Sequence, residues 1–416
     1  MIFLLFLHSK KQIKNMNTLF ERHNQYLEAV PMAYFRDFIR QIDWSLRLIA
    51  IKGAKGVGKS TMMLQYIKTH FAPDDQHVLY CSADTGFFAS HSLVELADRF
   101  CAWGGTHLFI DEIHKYNNWS SEIKEIYDLH KDLHLVISGS SLLQINDGHS
   151  DLSRRMVEYE MPGLSFREYL WFVSGIKINP ISLQKLLAKP NEFCRKVKSV
   201  CHPLEHFHHY LSSGYYPFYF ESPKVYPIQV ESVVNYIIDV ELTQYRNLEL
   251  GNTRKIRKLL QLISQMVPYE VNVSKLSKDV GLQRLTLLRY FKNLEEASLI
   301  RRLFADVDNF GNLQKPDKIL LDNSNLLYAL SSSTPQIGTV RETFFCNQLS
   351  AAGHIVEYGG LQNGDFRIDK DIIIEVGGAD KGFEQVKNVE NAYVAADEID
   401  IATHRKIPLW AFGFLY

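Results

Sequence analysis

A lysine and a serine at the end of a glycine-rich run, Gly53-Ala54-Lys55-Gly56-Val57-Gly58-Lys59-Ser60-Thr61, carry the most legible chemistry of this chain. Glycines let successive backbone N–H groups converge on phosphate oxygens, and a helix starting there points its positive dipole end at them. Lys59 has the reach for β- and γ-phosphates, and the Ser60 hydroxyl suits Mg²⁺. The flanks fit. Leu46–Ile51 is an apolar run that reads as a buried strand, and Met62–Ile67 reads as a helix. The spacing therefore predicts a nucleoside-triphosphate site, with ATP and Mg²⁺ as its ligands.

A second motif lies downstream. Leu108-Phe109-Ile110-Asp111-Glu112 is an apolar strand ending in two carboxylates. Asp111 suits an outer-sphere Mg²⁺ position, and Glu112 suits activation of the attacking water. One acid there would fit a switch GTPase; the Asp-Glu pair favours an ATPase with a glutamate base. A further strand, Leu133–Ser138, ends in Ser138-Gly139-Ser140-Ser141. Additive-strand P-loop ATPases place a γ-phosphate sensor at the tip of the strand beside the P-loop strand, and Ser138 or Ser140 fits that role. A plain turn would also explain the residues.

These elements need a parallel sheet to bring their ends together. The strand candidates are Leu46–Ile51, His77–Cys81, His107–Ile110 and Leu133–Ser138, each continuous in apolar character as doubly covered strands are. The chain has 416 residues, which implies two or three domains. With 46 basic and 47 acidic residues its formal charge is −1, so any nucleic-acid contact must be a local patch. Cys81, Cys101, Cys194, Cys201 and Cys346 are scattered and odd in number, which fits a reducing cytoplasm and no disulfide framework. The apolar start Ile2–Leu7 precedes Lys10, Lys11 and Lys14, the reverse of a signal peptide, and is too short to span a bilayer. Residues 1–16 read as an extension, with Met16 the expected initiator. No membrane association is expected.

From Met161 to about Leu250 the pattern turns helical and aromatic-rich. His206 and His209 share a helix face near Cys194 and Cys201, but the spacing matches no standard zinc pattern. Residues 253–304 then read as three helices and a strand: Lys255–Ile263, Val273–Leu282 with a turn glycine at Gly281, Arg284–Leu294, and Leu299–Phe304. That order is a winged helix-turn-helix. One reading lays the Arg284–Lys292 helix in a DNA groove, with Lys275, Lys278, Arg289, Arg301 and Arg302 near phosphates. The other packs the module against protein, because Leu285, Leu287 and Leu288 crowd the same helix. In the last segment, Glu342 on a helix, Asp365 in a loop and Glu375 on the strand Ile372–Val376 resemble the metal-holding acids of a restriction-endonuclease-like fold. Gly377 stands where that pattern needs a lysine, which weakens stabilisation of an attacking hydroxide. Lys381 and Lys387 are the neighbouring replacements. A degenerate domain with a docking or structural role is expected.

The assembled residues resemble a family of bacterial and archaeal AAA-type ATPases with a C-terminal domain of unknown function, over about residues 17–416. The resemblance rests on Gly53–Thr61, on Phe109–Lys115 with Trp119, on Ser138–Ser141, on Leu164–Leu170 and on Gly214-Tyr215-Tyr216-Pro217. It implies ATP binding at Gly53–Thr61, with Mg²⁺ and hydrolysis at Asp111 and Glu112. It also implies an arginine-rich spot after the sensor strand, matched by Ser153-Arg154-Arg155, where an arginine finger would neutralise phosphoryl charge. Surface pairing of Arg154 and Arg155 with Glu158 and Glu160 is the competing explanation. The family's Glu-Val-Lys-Gly is Glu375-Val376-Gly377-Gly378 here, against nuclease activity.

The reading is an α/β chain: a P-loop NTPase core over residues 17–160, a helical lid over 161–250, a winged helix-turn-helix over 251–335, and an endonuclease-like domain over 336–416. Its function is ATP hydrolysis that repositions the C-terminal domains toward a protein or DNA partner, with a homo-oligomer as a candidate state. Two alternatives stand beside it: an ATP-gated metal-dependent nuclease, and a slow-turnover ATP-binding signalling scaffold.

Overall fold

The computed structural model describes residues 2–141, 152, 154–246, 248–265, 271–305, 314–360, 364–384, 386, 389 and 391–416, with side chains from Met16 onward. It divides into two units, Met1–Pro162 and Gly163–Tyr416.

The first unit begins with the helix α1 (Ile2–Ala29), which runs without a break through Met16. Strands and helices then alternate: β1 (Leu48–Gly53), α2 (Lys59–His70), β2 (Val78–Ser82), α3 (Leu93–Ala102), β3 (His107–Asp111), α4 (Trp119–Leu129), β4 (His134–Ser140) and β5 (Val157–Glu160). The sheet order is β2-β3-β4-β1-β5, with every pairing parallel. The inner strands are buried along nearly their whole length, which is why their sequences show no polar alternation. This five-stranded parallel sheet matches a P-loop NTPase core. The four strands read from sequence are all present, their ends moved by one or two residues. β5 was not anticipated. Its sequence, Val-Glu-Tyr-Glu, is short and largely exposed, as an edge strand tolerates, and carries no apolar run. At the opposite edge α1 packs on β2, where the His23 ring accepts the Tyr80 N–H at 3.0 Å. Burial holds that ring's pKa down at about 4, so it is neutral and able to accept.

The second unit starts with α5 (Phe166–Ser174). Ser165 and Glu168 form a capping box at its start, and Gly175, at φ 72°, ends it. Then come α6 (Leu183–Ala188), α7 (Pro190–Lys198), α8 (Pro203–Ser213), α9 (Tyr226–Tyr236) and α10 (Leu242–Tyr245). Next are α11 (Thr253–Gln265), α12 (Val273–Val280), α13 (Arg284–Glu296), β6 (Ile300–Leu303) and its antiparallel partner β7 (Lys318–Leu321). The Asn272 side chain caps α12, and Gly281 at φ 71° closes it. The chain ends with α14 (Ser324–Leu330), α15 (Ile337–Ala351), β8 (Val356–Tyr358), β9 (Phe366–Ile368), β10 (Ile372–Gly377), β11 (Ala392–Ala396), β12 (Lys406–Pro408) and a 3₁₀ turn at Leu409–Phe414. This sheet has the order β12-β11-β10-β9-β8, antiparallel through β8, β9 and β10 and parallel through β10, β11 and β12.

The helices after residue 163, expected as a lid, belong to this second unit and are tied into it by buried polar groups. Asn325 on α14 accepts from the Tyr215 N–H at 2.8 Å and from the Tyr226 hydroxyl, and donates to the Tyr210 and Leu211 carbonyls. Gln348 on α15 donates to the Tyr210 and Tyr416 hydroxyls, and Arg167 on α5 donates to the Tyr416 carbonyl. A buried amide satisfied four times is costly to lose. Asn325→Ala removes all four bonds and strips the Tyr215 N–H and Leu211 carbonyl of this partner, while the Tyr210 carbonyl keeps the Gly214 N–H and the Tyr226 hydroxyl keeps the Tyr216 N–H; it should lower unfolding stability by about 3 kcal/mol or more. Equilibrium denaturation checks this, and a loss under about 1 kcal/mol would show that the network is dispensable.

Candidate functional site

The loop between β1 and α2 has the shape a phosphate requires. Gly56 and Gly58 adopt φ 88° and 97°, conformations in which side-chain-bearing residues are strained. Gly53 is demanded by crowding: a Cβ there would lie 2.4 Å from the Met161 carbonyl oxygen. α2 begins at Lys59, so the amides of Lys59, Ser60 and Thr61 lack a carbonyl one turn earlier and face the loop's concavity. The Lys59 side chain is buried and folds over the loop, donating to the carbonyls of Gly53 at 2.8 Å and Ala54 at 3.1 Å. Behind the loop stands Arg36, which no sequence motif marks. It is buried and donates to the Val57 carbonyl at 2.8 Å and the Pro162 carbonyl at 3.0 Å, bracing the loop against the end of the sheet.

Asp111 ends β3 and is buried. Its Oδ2 accepts the Tyr80 hydroxyl at 2.6 Å; its Oδ1 accepts the Ser138 hydroxyl and, at 3.0 Å, the Glu112 N–H. Three donors thus meet one buried carboxylate. Burial and the Asp111 charge push the Tyr80 hydroxyl's pKa far up, so Tyr80 stays a donor. Glu112 follows with φ 53° and ψ 39°, a left-handed conformation sparsely populated by non-glycine residues. Its side chain is part exposed and stands 3.3 Å from His114 Nε2.

The two sensor candidates, Ser138 and Ser140, sit at different depths on β4. Ser138 is fully buried and its hydroxyl is spent on Asp111. Ser140 lies further out, level with Gly53 in the β1–β4 register. Sequence alone did not separate the two because they share a strand face and differ only in depth. Of the arginines, Arg155 pairs with Asp128 on α4 at 3.2 Å and Arg154 is exposed. Of the expected partners, Glu158 pairs with Lys52 at 2.9 Å. Ser153 lies outside the described residues.

In the second unit the histidine cluster resolves as hydrogen bonding. His209 bridges the hydroxyls of Tyr169 at 2.8 Å and Tyr219 at 3.1 Å. Among the described residues no group of three or more His, Cys, Asp or Glu side chains is arranged to hold a metal ion. The acids Glu342 and Glu375 each meet a lysine, Lys318 and Lys381 respectively, and Asp365 accepts the Val376 N–H at 2.8 Å. Burial, with Asp365 and Glu375 adding, pushes the Glu342 pKa up to about 7 against the pull of Lys318. A Cβ at Gly377 would meet Lys381 Cβ and Cγ at 2.7 Å, so the Lys381 stem lies where a side chain at 377 would start. Lys387 lies outside the described residues. Of the basic residues near α13, Arg301 pairs with Asp322, Arg302 with Glu295 and Lys292 with Glu296. Lys275, Lys278, Arg284 and Arg289 are exposed, as is Leu285.

Loop, lysine and carboxylate pair define a P-loop nucleotide-binding core. Comparison agrees: residues 45–170 match the family model of an AAA domain, and residues 204–336 match a domain of unknown function (DUF8612). The chain is 24% identical over 281 residues to Uncharacterized protein MJ1637 of Methanocaldococcus jannaschii, a match covering 64% of this chain. It spans only 58% of that relative's length. Among solved structures, the Aeropyrum pernix ORC1 protein in complex with DNA aligns at 15% identity and a TM-score of 0.31, covering 74% of this chain and 95% of that one. C. elegans PCH-2 aligns at 14% identity and a TM-score of 0.24, covering 41% and 49%. At these scores neither alignment bears on function. No helix among the described residues is long and apolar enough to cross a membrane.

If Lys59 serves phosphate, Lys59→Ala should weaken ATP·Mg²⁺ binding by about 100-fold or more through loss of a charge-assisted contact. Calorimetry measures it, and affinity unchanged within a few-fold would remove the loop from the nucleotide site.

Proposed function

We propose that the chain hydrolyses ATP at the ends of β1, β3 and β4. The observation that carries this reading is the placement of the buried Asp111 at the end of β3 and of Glu112 just beyond it, one strand removed from the P-loop strand. The gap filled by β4 leaves room for a water between a γ-phosphate and Glu112. The loop amides and Lys59 receive the β- and γ-phosphates, Lys59 exchanging the Gly53 and Ala54 carbonyls for phosphate oxygens. Mg²⁺ arriving with the nucleotide would be held by Ser60 and, through water, by Asp111, and would supply charge neutralisation. Glu112 takes the proton of the attacking water. Ser140, at the tip of β4, is the better-placed group to meet the γ-phosphate. Arg154, exposed, is the candidate finger, acting within its own chain or on a neighbouring copy; Arg155 is held by Asp128.

Hydrolysis would reposition the second unit toward a partner. Within that unit we read α11, α12, α13, β6 and β7 as a winged helix-turn-helix whose outward face holds Lys275, Lys278, Arg284 and Arg289. Few net charges remain once Arg301, Arg302 and Lys292 are paired, so DNA binding through this face would be weak and salt-dependent. We read residues 336–416 as endonuclease-like in topology without cleavage, because Gly377 stands where the motif needs its lysine and Glu342 is tied to Lys318.

Glu112→Gln should keep ATP affinity and lose most steady-state phosphate release, about 100-fold or more, since an amide cannot accept the proton. Retained release would mean that Glu112 is not the base.

On plasmid DNA, the wild-type chain should bind only at low salt and leave the DNA uncut with Mg²⁺ or Mn²⁺, and reversing Arg284 and Arg289 to Glu should remove the binding. Gel shift and nicking assays report both. Binding that survives the reversal, or nicking that Glu375→Ala abolishes, would refute this part of the reading.

A further inference from the structure

We propose that His114 is a positioning residue: its ring aims the Glu112 carboxylate and ties it to the tip of β4. The inference rests on the reading of Glu112 as the base. It starts from what the backbone leaves undetermined. The Glu112 N–H is pinned by Asp111 Oδ1 and by Ser138 Oγ at 3.3 Å, and its backbone is locked in the left-handed region. Its side chain is long and part exposed, so rotamer freedom remains, and catalysis requires one rotamer.

His114 sits two residues on, in the 3₁₀ turn that follows β3, and is 5% exposed. Its two nitrogens face two different groups. Nδ1 accepts the Ser140 N–H at 3.3 Å, and Nε2 stands 3.3 Å from Glu112 Oε2. An amide donor on Nδ1 makes that nitrogen the lone-pair site, so a neutral ring carries its hydrogen on Nε2, the nitrogen nearer the carboxylate; the two groups are within reach but out of line for a hydrogen bond here, and a turn of the Glu112 side chain completes it. The ring is neutral: burial, with Lys115, Lys59 and Lys55 nearby, holds its pKa at about 3. A neutral imidazole donates to a carboxylate without lending it a proton, so Glu112 keeps its capacity to act as base. Ser140 is opposite Gly53 in the sheet. The ring therefore spans from the base to the strand end that flanks the P-loop, and an event at that end reaches Glu112 through one rigid side chain.

The alternative is that His114 only fills the core beneath the loop. Variants separate the two readings because amide side chains reproduce one ring nitrogen at a time. In His114→Gln an amide N–H reaches the Nε2 position; in His114→Asn a carbonyl oxygen reaches the Nδ1 position. The experiment measures kcat, ATP affinity and thermal unfolding for His114→Ala, His114→Gln, His114→Asn, Glu112→Gln and the His114→Ala, Glu112→Gln double variant. The expected result is a kcat about 10- to 100-fold lower in His114→Ala, the size of effect seen when a supporting hydrogen bond is removed, with ATP affinity within about threefold of wild type. His114→Gln restores most of the turnover and His114→Asn does not, and the double variant is no slower than Glu112→Gln. Should His114→Ala fold poorly, the Gln and Asn pair carries the same comparison. Equal turnover in Gln and Asn, unchanged or raised kcat in His114→Ala, or additive losses in the double variant would each overturn the inference while leaving the base in place. Full turnover in Glu112→Gln alone would instead overturn the base assignment on which it rests.

Discussion

One carboxylate organises the first unit. Asp111 lies in the sheet interior at a strand end, where an unsolvated charge is expensive unless donors surround it. Tyr80 comes from β2, Ser138 from β4 and the third donor from the Glu112 backbone. Each donor fixes a neighbour: Tyr80 locks the edge pair β2–β3, Ser138 locks β3 to β4, and the backbone amide turns Glu112 into its left-handed conformation. Removing the charge would release all three at once. The same strand order places β1, and with it the loop capped by Lys59, next to β4. The glycine loop and the acid pair are thus held in one frame by the demands of a single buried anion.

The second unit meets the same constraint differently. Several of its buried acids are answered by cations: Glu342 by Lys318, Glu375 by Lys381, and Asp397 by Arg341 at 2.8 Å. Such pairs seldom add net stability over an apolar core, yet each is costly to break from one side. Two of them, Lys318–Glu342 and Arg341–Asp397, join separate elements, as does the amide of Asn325. This is the physical reason that the segments read from sequence as lid, winged helix and terminal domain group into one unit.

What was legible in the sequence is what short spacing encodes. The loop needs glycines at fixed offsets and the central strands need unbroken apolar runs, so Gly53–Thr61, β1, β3 and β4 could all be placed. β5 escaped because an edge strand needs neither. Tyr80, Arg36 and the role of His114 escaped because their partners come from other elements; no local pattern marks a tyrosine in an apolar strand as the donor to an acid on its neighbour. Lys381 was named only as one of two replacements at Gly377, since a side chain returning over a glycine four residues earlier is a property of the turn, not of the motif. The paired state of Arg301 and Arg302 was equally hidden, as charge counts do not reveal which cations already have partners.

The central claim is that the loop at Gly53–Thr61 receives the phosphates of ATP and that Lys59 changes partner when it does. A crystal structure with a non-hydrolysable ATP analogue and Mg²⁺ tests it most directly. The account predicts the β-phosphate cradled by the amides of residues 56–61, with Lys59 Nζ moved from the Gly53 and Ala54 carbonyls to phosphate oxygens, and the γ-phosphate between Glu112 and Ser140. Nucleotide bound elsewhere, or bound here with Lys59 still on those two carbonyls, would contradict it.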